Sequence, residues 1–155
     1  LVAECIATVV SRHHLPPGAI VLDDIPGQVR LFVQGNAEDL RTAVLNLLDN
    51  AVKYSPNGVH VRCRIGIERY TTLVLSIADT GLGLPARELK RIFKRFYRAD
   101  STDQVKIKGT GLGLFLVRTI ALQHGGSIRA LSPGPGKGTT LLLKLPLSIG
   151  DAHEE

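Results

Sequence analysis

Asn46 and Asn50 stand four residues apart, with Asp49 and Lys53 beside them. Amide oxygens ligate hard cations or orient their waters, and a lysine ammonium meets phosphate. Asparagine is a mediocre helix former, so two on one helical stripe, on the side away from the leucines, suit a site. The same stripe also fits an ordinary solvated face. Two glycine stretches add a second kind of chemistry: Asp79-Thr80-Gly81-Leu82-Gly83-Leu84-Pro85 and Gly109-Thr110-Gly111-Leu112-Gly113-Leu114. Glycine lets backbone come close to a ligand and reach positive φ. The second stretch opens a predicted helix, whose free N–H groups and dipole hold phosphates. The better-known nucleotide fingerprints fail. The dinucleotide pattern needs a glycine where Leu116 stands, and Gly136-Lys137-Gly138-Thr139 lacks the Ser or Thr that follows a P-loop lysine. That last segment reads as a hairpin turn.

Those residues need elements to hold them. Leu1 to about Val10 reads as an apolar helix, closed by His13-His14-Leu15-Pro16-Pro17-Gly18. Short apolar strands are predicted over Ala19–Leu22 and Val29–Val33. Asn36 is a candidate N-cap for a long helix reaching about Tyr54, with Leu40, Val44, Leu47, Leu48 and Ala51 on one 3.6-residue stripe. Val59–Ile67 and Thr72–Ala78 read as strands joined by a turn near Arg69-Tyr70. A short basic helix is expected over Ala86–Phe93, an aperiodic polar stretch over Tyr97–Lys108, and a helix over Thr110–Gln123. Ser127–Leu131 and Thr139–Leu145 form a final hairpin. The order predicts an α+β, two-layer sandwich: a mixed, mostly antiparallel sheet with helices on one face.

Composition narrows the class. The chain has 155 residues, 44% hydrophobic and 21% charged, which fits one folded domain with its own core. The formal net charge is +5 and is local. Residues 87–108 carry eight basic and three acidic side chains, and the other 133 residues are balanced. A generally basic, polyanion-coating protein is therefore a poor description. No apolar run approaches the roughly 20 residues of a membrane span. Cys5 and Cys63, far apart and without ligand-spaced neighbours, read as two plain thiols in a reducing compartment.

The ordered combination is more specific than any part. Asn46-x3-Asn50-Ala51-x-Lys53-Tyr54, Asp79-x-Gly81-x-Gly83-Leu84, Phe93-x2-Phe96-Tyr97-Arg98 and Gly109-Thr110-Gly111-Leu112-Gly113-Leu114 follow one another along the chain. From about Ala37 to Leu147 it resembles the catalytic, ATP-binding domain of the sensor histidine kinases (the Bergerat-type fold). The resemblance implies ATP and Mg²⁺ as ligands. Asn50 would coordinate Mg²⁺ with Asn46 assisting, Lys53 would lie near the phosphates, and Tyr54 beside the nucleotide. Asp79 would accept a hydrogen bond from the adenine amino group, with Gly81, Gly83 and Leu84 along the base. Lys108, Gly109, Thr110, Gly111, Leu112, Gly113 and Leu114 would line the triphosphate and hinge a lid at about 97–109. Phe93 and Phe96 would anchor the lid's edge. Arg98 would stabilise charge on the transferring phosphoryl group.

The resemblance also implies a reaction. Relatives that hydrolyse ATP, such as type II topoisomerases and the related chaperone and mismatch-repair ATPases, carry a glutamate base four residues before the metal-binding asparagine. Asn46 stands there and cannot take a proton, which favours transfer to an outside acceptor. None of His13, His14, His60, His124 or His153 lies in a phosphoacceptor-like context. The expected partners are thus a histidine-bearing dimerisation domain of the same kinase, upstream of Leu1, and a response-regulator receiver domain. Residues 1–149 would be one catalytic domain and 150–155 a tail. The isolated domain would be monomeric, the full kinase a homodimer, and the setting the cytoplasmic portion of a bacterial sensor that meets membrane only through upstream segments. Anti-sigma serine kinases of the same fold, a nucleotide-binding docking module without turnover, and a nucleic-acid-binding role for Arg87–Arg98 are the alternatives. The last lacks any DNA- or RNA-reading motif.

Overall fold

A computed structural model describes residues 1–25, 27, 29–97 and 111–148. Three helices cover one face of a five-stranded sheet. In chain order these are α1 (Val2–Arg12), β1 (Ile20–Leu22), α2 (Ala37–Lys53), β2 (Val61–Glu68), β3 (Thr72–Asp79), α3 (Gly113–Gln123), β4 (Ser127–Leu131) and β5 (Thr140–Pro146). The strand order is β1-β2-β3-β5-β4. Only the β1–β2 pair is parallel, so the sheet is mixed and mostly antiparallel, as expected.

Local chemistry explains the main elements. Asn36 caps α2, its Oδ1 accepting from the Asp39 N–H at 3.0 Å. The α2 stripe buries Ala43, Val44, Leu47, Leu48 and Ala51. These pack with Cys5 and Val9 of α1 and Val117, Ile120 and Ala121 of α3. Opposite them, β5 alternates so that Leu141, Leu143 and Leu145 point into the core. The tight β2–β3 connection, Arg69–Thr71, places both Arg69 (φ 52°) and Tyr70 (φ 62°) in the left-handed region, with the Thr71 N–H donating to the Glu68 carbonyl at 3.3 Å. Both cysteines are free and buried, and burial pushes the Cys63 thiol up to about 12.

Three expectations change. Val29–Val33 forms no strand: Val33 packs against the core, but Phe32 makes only a single antiparallel bridge to Ser148, and Val29 and Phe32 are exposed, so no ladder extends along the stretch. The basic helix over Ala86–Phe93 is two 3₁₀ turns, Ala86–Glu88 and Arg91–Phe93. Its bonds run from Glu88 N–H to the Pro85 carbonyl and from Lys94 N–H to the Arg91 carbonyl, tightening the chain so that both Glu88 and Phe93 are buried. Helix α3 starts at Gly113 because Gly111, at φ 71°, cannot be part of it.

Candidate nucleotide-binding site

Asp79 ends β3 at the centre of the sheet. Its Oδ1 accepts from the Gly81 N–H at 2.9 Å and from the Thr139 N–H at 3.1 Å. Oδ2 has no hydrogen-bond donor among the described residues. Burial raises the Asp79 pKa, opposed by those two backbone donors. The carboxylate is thus fixed in direction, partly desolvated, and left with one oxygen for a ligand.

The chain after Asp79 is held by backbone approaches that only glycine allows. A Cβ on Gly81 would lie 2.0 Å from the Tyr54 carbonyl oxygen, whose partner is the Leu82 N–H at 2.9 Å. Gly83 (φ 66°) would meet the Gly134 oxygen at 2.2 Å. The hairpin loop before β5 locks this stretch from the other side. Gly136 N–H donates to the Leu82 carbonyl at 2.6 Å and Gly138 N–H to the Gly81 carbonyl at 3.1 Å. The Ser132 hydroxyl accepts from the Leu84 N–H at 3.0 Å and donates to the Gly138 carbonyl at 2.7 Å. Leu84 itself is buried and serves as an anchor.

On α2 the two asparagines are half-buried and do not lie on a solvated face. Asn46 Nδ2 donates to the Thr42 carbonyl at 2.9 Å, and its Oδ1 faces Gly113 at the start of α3. A Cβ on Gly113 would lie 3.0 Å from that oxygen, so the glycine keeps the gap between the helices open. Asn50 lies one turn further on and Lys53 is exposed at the helix end. Asp49 turns away: it pairs with Arg12 at 2.7 Å and His13 at 2.8 Å of the α1 end. Tyr54 closes the helix, half-buried. Two amide oxygens suit a hard cation that keeps waters and brings phosphate ligands with it. Among the described residues no group of three His, Cys, Asp or Glu could hold a metal unaided.

At the lid's edge, the Phe96 N–H donates to the Gly111 carbonyl at 2.9 Å, and Gly111 fits there only without a Cβ. Phe93 is buried in the core, whereas Phe96 is 62% exposed under the Arg95 guanidinium, so only the first of the pair packs as expected. Leu112 and Leu114 are half-buried, Leu114 against the core. Arg98, Lys108, Gly109 and Thr110 lie outside the described residues, as do most of the expected lid and the tail from 149 on.

Two contributors escape a sequence reading. Thr139 grips Asp79 from 60 residues away, and the loop Ser132–Gly138 holds Gly81–Leu84; the signal was the glycine density of Gly134, Gly136 and Gly138, which reads equally as a plain turn. His124 is more than a helix end. Its Nδ1–H donates to the Ile120 carbonyl at 2.8 Å, so Nε2 accepts the Asn36 N–H at 3.1 Å and ties the end of α3 to the start of α2.

Both ring nitrogens of His124 are thus engaged in this tie between the helices. Residues 35–149 match the family described as histidine kinase-, DNA gyrase B-, and HSP90-like ATPase. The chain belongs to this family of ATP-binding domains. It is 36% identical over 148 residues to the sensor-like histidine kinase SenX3 of Mycolicibacterium smegmatis, covering 94% of this chain and 38% of that protein. It spans well under half the length of the curated sensor kinases it matches. The structure of the mycobacterial sensor histidine kinase MprB superposes with a TM-score of 0.75 at 32% identity, covering 94% of this chain and 91% of that one. Full-length ShkA in complex with AMPPNP gives a TM-score of 0.71 at 25% identity, covering 97% and 29%. The fold and family are those of a sensor-histidine-kinase ATP-binding domain. No helix among the described residues is long and apolar enough to cross a membrane.

Proposed function

We propose that this chain binds Mg·ATP and passes its γ-phosphoryl group to a histidine on a separate two-helix dimerisation domain of the same kinase. The observation that carries the nucleotide half is Asp79: a partly desolvated carboxylate with Oδ1 taken by Gly81 and Thr139 and no described donor on Oδ2. It accepts from the adenine amino group; a purine carbonyl there would set two acceptors face to face. Gly81 and Gly83 let the chain run along the base, and Leu84 anchors it. Tyr54 flanks the nucleotide, and Gly111, Leu112, Gly113 and Leu114, with Lys108, Gly109 and Thr110, border the triphosphate.

Asn50, with Asn46 assisting, would hold Mg²⁺, which when bound neutralises phosphate charge. Lys53 orients the phosphates, and Arg98 balances charge on the phosphoryl group in flight. The reaction forms a bond between an imidazole nitrogen and phosphorus as the bridging oxygen–phosphorus bond to ADP breaks. Positioning supplies most of the rate. Asn46 supports transfer over hydrolysis, since an amide in that place cannot take a proton from water. We assign residues 1–149 to this single domain with a lid at about 97–109. The receiver domain of a response regulator would take the phosphoryl group next, and the domain would work on the cytoplasmic side of a dimeric sensor.

The test is ATP radiolabelled at its γ-phosphoryl, incubated with this chain and the two-helix domain of its own kinase. Acid-labile, alkali-stable label on the two-helix domain is expected. Label on a serine of a protein partner, or free phosphate in place of phosphohistidine, would overturn the reading.

A further inference from the structure

Away from the nucleotide cradle, the 3₁₀ turns, α3 and β4 enclose a groove of about 730 Å³. Arg87, Lys90 and Lys94 line one side, and Arg118 and Arg129 the other. Among the described residues the lining holds no carboxylate. Glu88, the nearest, is 4% exposed, with its Oε1 3.9 Å from Arg87 Nε. Lys90, Lys94 and Arg118 form no ion pair among the described residues. Elsewhere Arg12, Arg41, Arg62, Arg64 and Lys144 each hold a carboxylate. Three of the basic residues in the 87–108 excess thus meet Arg118 and Arg129 here, and among the described residues Lys90, Lys94 and Arg118 have no carboxylate partner.

The groove also has a direction. Strand β4 is the last of the sheet and pairs on one side only, with β5. Ile128, Arg129, Ala130 and Leu131 in succession all line the groove. Successive strand residues point to opposite faces, so only a groove that runs along the free edge touches all four. Its floor and walls are largely apolar, from Leu89, Phe93, Ile128, Ala130 and Leu131. An open edge with unpaired backbone groups accepts an added strand, and side-chain pockets select its sequence.

We infer that this groove binds an acidic, extended protein segment that adds to the free edge of β4, its apolar side chains on the floor and its carboxylates against Lys90, Lys94 and Arg118. Charge complementarity sets the sign of the partner. The apolar floor sets its class, because a phosphate backbone has nothing to bury against Leu89, Phe93 and Leu131. The site does not rest on the nucleotide reading: it shares Phe93 with the edge of the expected lid and none of the residues assigned to the nucleotide or Mg²⁺.

The test is backbone-amide NMR on this chain with three probes: a peptide alternating Glu with Leu and Val, a peptide of equal charge with Ser for the apolar residues, and duplex DNA. The first is expected to bind, shift the amides of Ser127–Leu131, and lose about tenfold in affinity on Lys90→Glu with Arg118→Glu, or a smaller factor on Lys90→Glu alone. ATP binding by the same variants should be unchanged. Equal binding by the Ser peptide or by DNA, shifts confined to other elements, or affinity indifferent to both charge reversals would each overturn the proposal.

Discussion

The two ends of the proposed nucleotide cradle, base and phosphate, are built differently. At the base end, Asp79 is gripped by backbone N–H groups from both Gly81 and Thr139, and Gly81, Gly83 and Gly138 each come within van der Waals distance of another backbone. At the phosphate end, Asn46, Asn50 and Lys53 hang from one face of α2, with Gly113 keeping the neighbouring helix back. The base end is fixed by contacts between distant parts of the chain; the phosphate end is fixed by helical spacing alone. On the proposed reading, recognition of the base would be preorganised in the fold, while the phosphate groups would meet side chains that cost little to move. Mutations at the first end should damage stability and specificity together, and those at the second should damage affinity only.

The largest effect is expected at Gly138, where φ is 75° and a Cβ would lie 2.1 Å from the Asp79 carbonyl oxygen. Gly138→Ala should cost about 3 kcal/mol of stability in chemical denaturation, since neither backbone can give way. Next, Asp79→Asn keeps an acceptor for Gly81 and Thr139 but offers an amide to the adenine amino group. ATP affinity should fall about 10–100-fold by calorimetry, and preference for ATP over GTP should shrink, with the fold retained.

Acidification separates the two properties in another way. Burial raises the Asp79 pKa, so the folded chain holds that proton more tightly than the unfolded chain. As pH falls through the raised value, this group adds stability while nucleotide affinity drops. Glu4, Asp23 and Glu68, lowered by hydrogen bonds from Arg41, from Arg62 and Arg64, and from Lys144, act the opposite way and only at lower pH. ATP titrations across the weakly acid range should therefore lose affinity before the melting curve weakens. The smallest effect belongs to the phosphate end. Lys53→Ala should weaken ATP a few-fold, about 1 kcal/mol, and leave the denaturation midpoint within about 0.5 kcal/mol of wild type.

Much of the fold is legible in the sequence because the signals are local. The α2 stripe reports the same apolar face that the structure buries, and Asn36 marks where the helix starts. Val29–Val33 misleads because an apolar run predicts a strand only if something pairs with it, and here a single bridge at Phe32 does. Ala86–Phe93 has helical composition, yet it folds as two 3₁₀ turns that bury both Glu88 and Phe93. In the site, Asn46, Asn50, Lys53 and Asp79 are readable from type and spacing. Thr139, Ser132 and the His124–Asn36 tie are not, because their partners lie 48 to 88 residues away and the bonds use backbone groups that every residue carries.

The most direct test of a base end preorganised around Asp79 is a paired calorimetric titration of this chain with Mg·ATP and Mg·GTP. Binding of ATP with GTP at least about tenfold weaker is the predicted result. Equal affinity for the two nucleotides, in a chain whose melting curve shows it folded, would contradict it.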